Sequence, residues 1–165
     1  MRTYRVAYEH PTQLLASTFL RALAEDDGPV IWERLSRESR GLLEGRYAAG
    51  ARIALHRAAS IEADGGDARL GEVTAPVRAS ALAVLGGPER LLSLGVSAAR
   101  LVDREIAYVL LLPDFGAERI VAEAEWRPQY LLAFVYESRE WLVDLGRTAE
   151  LSADAELPDP LGQIR

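Results

Sequence analysis

Between residues 11 and 59 the apolar positions recur at helical spacing. Leu14, Leu15, Thr18, Phe19, Ala22 and Leu23 fall on one side of a helix with a 3.6-residue period. His10-Pro11-Thr12 opens this helix: Thr12 can cap it, or Pro11 can sit in the first turn, where its missing N–H would have no intrahelical partner. Glu25-Asp26-Asp27-Gly28 closes it, with Gly28 suited to the left-handed C-terminal conformation. Pro29 opens a second, short helix carrying Val30, Ile31, Trp32 and Leu35. Ser36 as cap and Glu38 in the first turn predict a third helix running to about Ala59. Its apolar side holds Leu42, Leu43, Tyr47, Ala51, Ala54 and Leu55, and it can break at Gly41, Gly45 or Gly50.

Asp64-Gly65-Gly66-Asp67 is the clearest loop signal. Beyond it Ala75 to Leu85 reads as helix and stops at Gly86-Gly87-Pro88, and Pro88 to Leu94 adds a further helical turn or two.

From Ala98 onward the period shortens to that of strands. Ala98 to Leu112 is rich in β-formers and ends at Pro113-Asp114. In Glu118 to Arg127 the residues Ile120, Ala122, Ala124 and Trp126 face one way and Val121, Glu123, Glu125 and Arg127 the other, as in a strand with one solvated face. Tyr130 to Glu137 is a third strand, Ser138-Arg139 a turn, and Glu140 to Leu145 a fourth strand. Tyr4, Val6 and Tyr8 also alternate. Helices followed by sequential antiparallel strands predict an α+β domain over residues 1–146, with Phe19, Trp32, Leu35 and Trp141 in one core. Residues 147–165 are polar and acidic and contain Pro158 and Pro160, which predicts a mobile tail.

Composition narrows the function. The 165 residues are 49% hydrophobic and 27% charged, as in a globular domain with a sizeable core. The formal net charge of -6 disfavours nucleic acid as a partner. With no cysteine, disulfides, thiolate metal sites and cysteine nucleophiles are excluded. The basic residues are Arg, scattered rather than clustered, and there is no Lys. Met1 to His10 lack the apolar stretch of a signal peptide, and the longest apolar run, Ile106 to Pro113, suits a buried strand rather than a membrane span. No membrane partner is expected, and cytoplasmic residence is the default expectation.

Two segments carry a family likeness. The first is Phe19-Leu20-Arg21-Ala22-Leu23-Ala24-Glu25-Asp26-Asp27, followed by Trp32-Glu33-Arg34-Leu35-Ser36-Arg37-Glu38-Ser39-Arg40. The second is Phe134-Val135-Tyr136-Glu137-Ser138-Arg139-Glu140-Trp141-Leu142-Val143-Asp144-Leu145. In these and in element order, Pro11 to Leu145 resembles the NTF2-like superfamily, the cone fold of SnoaL-type cyclases and ketosteroid isomerase. The extra alternation before the first helix and the helical segment from Ala75 to Leu94 depart from that pattern. The resemblance implies N-terminal helices packed on a curved antiparallel sheet that encloses an apolar cavity, and a homodimer formed through the sheet. It does not choose among enzymes, carriers and adaptors.

Candidate chemistry is sparse. His10 and His56 are the only imidazoles, no metal-ligand spacing occurs, and no glycine-rich nucleotide loop is present, so neither metal nor cofactor is expected. No serine sits in a Gly-x-Ser-x-Gly elbow. Tyr47 and His56, nine residues apart, point to opposite sides of one helix. The expected pocket residues are Arg104, Tyr108, Tyr47, Trp126 and Asp103. If Val102, Ile106, Tyr108 and Leu110 line the cavity, Arg104 shares their face and needs a carboxylate, such as Glu123 or Glu125, or a ligand anion. In the opposite orientation Asp103 and Glu105 face inward; a wet strand end is the third arrangement. The leading expectation is a non-catalytic domain that binds a small hydrophobic ligand or a protein. The alternative is a SnoaL-like or isomerase-like enzyme using cofactor-free acid–base catalysis, which requires a buried ionisable pair.

Overall fold

The computed structural model describes residues 10–52, 66–112 and 130–162. The alternation at Tyr4, Val6 and Tyr8, the strand expected over 118–127, His56, Trp126, Glu123 and Glu125 lie outside the described residues.

Helix α1 spans Pro11–Glu25. His10, rather than Thr12, is its N-cap: the imidazole accepts from the Thr12 N–H, and Gln13 reaches back toward the His10 N–H. The left-handed residue that ends α1 is Asp26, with φ 59°, not Gly28. Gly28 instead opens α2, Gly28–Glu33, capped by Asp27. There it meets a neighbouring helix so closely that a Cβ on Gly28 would lie 2.6 Å from the Gly71 Cα. Ser36 caps α3, Arg37–Ala51, as its sequence predicts. Arg52 turns left-handed at φ 55° and ends α3, and positions 53–59 of the expected helix lie outside the described residues.

Helix α4 spans Gly66–Leu85 and so begins well before Ala75, with Pro76 inside it. The expected loop therefore gives Gly66 and Asp67 to the first turn of α4. Gly86 and Gly87 at positive φ separate it from α5, Pro88–Ser93.

The strands are β1 Gly95–Val96, β2 Arg100–Leu101, β3 Ile106–Leu112, β4 Tyr130–Glu137 and β5 Glu140–Val143. They form an antiparallel sheet in the order β1-β3-β4-β5, with β2 also paired to β3. The sheet curls into a half-barrel. The expected single strand from Ala98 to Leu112 is broken, because Val102 to Glu105 turn the chain back so that Leu101 pairs with Ala107. Between β4 and β5, Ser138 and Arg139 both take positive φ, as a two-residue hairpin with right-handed strand twist requires.

Register assigns the two faces. Ala107, Val109, Leu111, Leu132, Phe134, Trp141 and Val143 face the helices. They meet Phe19, Leu23, Ile31, Trp32, Leu35, Leu43, Val73, Val77, Leu85 and Leu91, each nearly or wholly buried. Phe19, Trp32, Leu35 and Trp141 thus share one core, and Trp141 lies between the His10 and Tyr136 rings. These side chains pack as one layer between the helices and the sheet.

On the β5 side, the sheet edge is met by bonds from other elements. Ser36 N–H donates to the Val143 carbonyl and Val143 N–H to the Arg34 carbonyl, which seals β5. The expected tail departs most from its prediction. Leu145–Asp154 is a helix, α6, with Asp144 as N-cap. Its Thr148 hydroxyl accepts from the Ala133 N–H at 3.0 Å, so α6 meets β4 where β5 no longer covers it. Leu161, beyond both prolines, joins the main core at 2% exposure. Leu145, Thr148, Leu151 and Ser152 recur at helical spacing on its covered side, so part of this segment carries the period of a docked helix.

Candidate functional site

The outer face of the sheet carries Tyr108, Leu110, Leu112, Leu131 and Ala133, the residues that register turns away from the helical core. Helix α6 and the chain that follows it lie across this face, bringing Leu151 and Leu157 onto it. The cover is incomplete. A recess of about 360 Å³ stays open between strands and helix, lined by Arg100, Tyr108, Leu110, Leu131, Leu151, Asp154, Ala155 and Leu157. That volume lies within the roughly 300–1,000 Å³ of small-molecule sites. Leu110 and Leu131 make its floor and are almost fully buried. The polar groups sit on the walls: Arg100 and Tyr108 from β2 and β3, and Asp154 from the end of α6.

The expected pocket residues are dispersed. Tyr108 lines the recess, half-buried. Asp103 and Arg104 are exposed in the turn between β2 and β3, where the Asp103 carboxylate accepts from the N–H groups of Glu105 at 2.7 Å and Ile106 at 2.8 Å. That turn takes Arg104 off the strand, so the expected choice between two inward-facing arrangements gives way to the wet end of the strand pair. Tyr47 packs against the main core on the other side of the sheet, and its hydroxyl bonds to Glu72 at 3.1 Å. It bridges α3 and α4 and shares no recess with Tyr108.

The arginine on the apolar strand face is Arg100. It stands directly across from Tyr108 in the β2–β3 pair. It has the same strand parity as Arg104, but the hairpin reverses the chain between them. Asp103 followed by Arg104 and Glu105 was the signal for that turn, because Asp side chains readily hydrogen-bond to backbone N–H groups two or three residues on. Leu151, Asp154, Ala155 and Leu157 belong to the segment expected to be a tail.

A second depression, of about 810 Å³, lies beside the contact of α1 and α2 with α4. Glu25, Asp26, Asp27, Asp67 and Glu72 surround it, and Arg78 spans part of it, with Nε donating to the Leu23 carbonyl and lying 3.5 Å from Asp26. Most of these carboxylates are exposed. Among the described residues no group of His, Asp or Glu side chains is placed to hold a metal ion.

Asp144 is the one buried charged side chain among the described residues. Its Oδ1 accepts from the Arg147 N–H at 2.7 Å and its Oδ2 from the Ser36 hydroxyl at 2.6 Å. Both oxygens serve the helix junction, and Asp144 lines none of the recesses described above. No helix among the described residues is long and apolar enough to cross a membrane. No family model, curated protein or solved structure matches the chain.

Proposed function

We propose that this domain is a non-catalytic binding module that takes a small apolar ligand in the recess between β2, β3, β4 and α6. The observation that carries the reading is the recess itself, an apolar floor of Leu110 and Leu131 with apolar walls from Leu151, Ala155 and Leu157. Apolar surface left open beside buried leucines is stabilised by a ligand that removes it from water. In favour of the non-catalytic half of the reading, the one buried carboxylate among the described residues, Asp144, is engaged as a helix cap outside the recess, and the carboxylate of the recess itself, Asp154, is exposed rather than shielded from water.

The same reading takes the architecture as an NTF2-like cone. In its favour are N-terminal helices packed on a curled antiparallel sheet. The ligand site differs from the one implied by the resemblance, since it lies on the outer rather than the helix-covered face. Homodimerisation through the sheet has a narrower surface than expected, the end near Ile106 and Val135 that is only half-buried.

The test is a fluorescence titration with N-phenyl-1-naphthylamine, a neutral apolar probe. The wild-type protein should give saturable enhancement. Ala155→Trp, which fills the recess from an exposed position at the end of α6, should weaken binding at least about tenfold through steric exclusion while unfolding stays cooperative. Absence of saturable binding to the wild type, or equal binding to Ala155→Trp, would overturn the proposal.

A further inference from the structure

The two walls of the recess carry opposite charge, and from this we infer that its ligand is an apolar zwitterion: a free α-amino acid with an aromatic or branched side chain. The inference rests on the reading of the recess as a ligand site.

On the strand wall Arg100 and Tyr108 are directly opposed neighbours, so a guanidinium and a phenol stand together beside the Leu110 and Leu131 floor. A guanidinium has five N–H donors in a planar fork that matches a carboxylate. A contact within the protein still leaves donors for a ligand. On the helix wall Asp154 is the last residue of α6 and Ala155 its C-cap. The Asp154 carboxylate gives this wall its negative charge and suits an ammonium group. Leu151 and Leu157 flank these groups with apolar surface.

Each simpler ligand meets one wall badly. A lone anion approaching Arg100 also meets Asp154. A lone cation approaching Asp154 also meets Arg100. A neutral compound satisfies the floor and neither wall. An α-amino acid carries both charges on adjacent atoms and an apolar side chain to fill the floor, so all three surfaces are matched at once. The acidic depression beside α2 lacks this combination, having carboxylates around an exposed rim and no leucine floor.

The experiment displaces bound N-phenyl-1-naphthylamine with three compounds of one skeleton: L-phenylalanine, 3-phenylpropionate and phenethylamine. L-phenylalanine should displace the probe at concentrations about tenfold lower than either singly charged analogue, the effect of one further charge-assisted hydrogen bond. Arg100→Met should abolish its advantage over phenethylamine, and Asp154→Asn its advantage over 3-phenylpropionate. Asp154 is exposed, so this second variant carries the test even if Arg100→Met fails to fold. Equal displacement by the three compounds, or none by any, would overturn the zwitterion while leaving the apolar recess standing. Failure of the neutral probe itself to bind would overturn the recess and the inference with it.

Discussion

The Ser36 hydroxyl donates to the Asp144 carboxylate at 2.6 Å although 108 residues separate them. Each residue is also an N-cap, Ser36 of α3 and Asp144 of α6. Ser39 completes the junction, its hydroxyl accepting from the Leu145 N–H at 2.8 Å. Two helix starts are thereby tied together beside β5, and this fixes the direction in which α6 crosses the outer face of the sheet. Asp144→Ala removes a cap and leaves the buried Ser36 hydroxyl with the Ser39 oxygen as its other acceptor, which should lower stability by about 2 kcal/mol. Ser36→Ala should cost about 2 kcal/mol, and the double variant less than the sum. Urea unfolding of the three variants measures this; strict additivity would show that the pair does not act as a unit.

Gly28 and Gly71 should respond unequally to alanine. A Cβ on Gly28 would lie 2.6 Å from both the Cα and the N of Gly71, so α2 and α4 must separate. Gly28→Ala should destabilise by about 1–3 kcal/mol through overpacking. Nothing lies within 4 Å of a Cβ on Gly71. Gly71→Ala, inside α4, should stabilise by about 0.5–1 kcal/mol through helix propensity. Thermal melts of the two variants should therefore shift in opposite directions.

His10 makes stability depend on pH. Burial against Trp141 pulls its imidazole below the ordinary value of 6.5. The neutral ring caps α1 as an acceptor, whereas a protonated ring would present a donor and a positive charge to the helix N-terminus. A lowered folded pKa means that the unfolded chain binds the proton more readily. The stabilising contribution is full above pH 6.5 and falls as pH drops from there toward the folded value. Melting temperatures from pH 8 to 5 should decline more steeply for the wild type than for His10→Asn, which retains a cap acceptor without titrating near neutrality. Parallel curves would remove His10 as the cause.

Removing residues 151–165 should damage the fold. The deletion uncovers Leu110 and Leu131 by taking away Leu151 and Leu157, and it withdraws Leu161 from the main core. Loss of cooperative unfolding is expected, and an unchanged urea transition would show that the segment is dispensable.

The loop side of the site should tolerate change. Arg104→Leu, in an exposed turn, should shift stability by less than about 0.5 kcal/mol. Asp103→Ala, which removes the acceptor for two backbone N–H groups, should cost about 1 kcal/mol. Chemical denaturation distinguishes them; a larger effect of Arg104→Leu would put Arg104 back in a partnered site.

Capping and breaking residues made much of the architecture legible. Ser36, the Gly86-Gly87-Pro88 stop and the Ser138-Arg139 turn mark boundaries that depend on local chemistry. The helical spacing of Phe19, Trp32 and Leu35 identified the core. The site was less legible because it depends on two non-local choices. Leu101 and Val102 have the composition of a continuing strand, yet the Asp103 carboxylate folds the chain back, and this moves the relevant arginine from 104 to 100. Thr148 and Ser152 are fully buried in α6, where the Thr148 hydroxyl meets a sheet edge instead of filling an apolar core. Binary patterning reads both as solvent-facing residues of a tail. The bond from Ala133 to Thr148 and the packing of Leu151 on the outer sheet face show why that side of α6 is buried.

The central claim is that ligand enters the outer-face recess. The most direct measurement is a methyl NMR spectrum of the full chain, with leucine methyls assigned and N-phenyl-1-naphthylamine added stepwise. The account predicts that the largest shifts fall together on Leu110, Leu131, Leu151 and Leu157, while Leu23, Leu35 and Leu43 on the helix-covered side remain in place. Shifts centred on that inner group, or no saturable shifts, would contradict it.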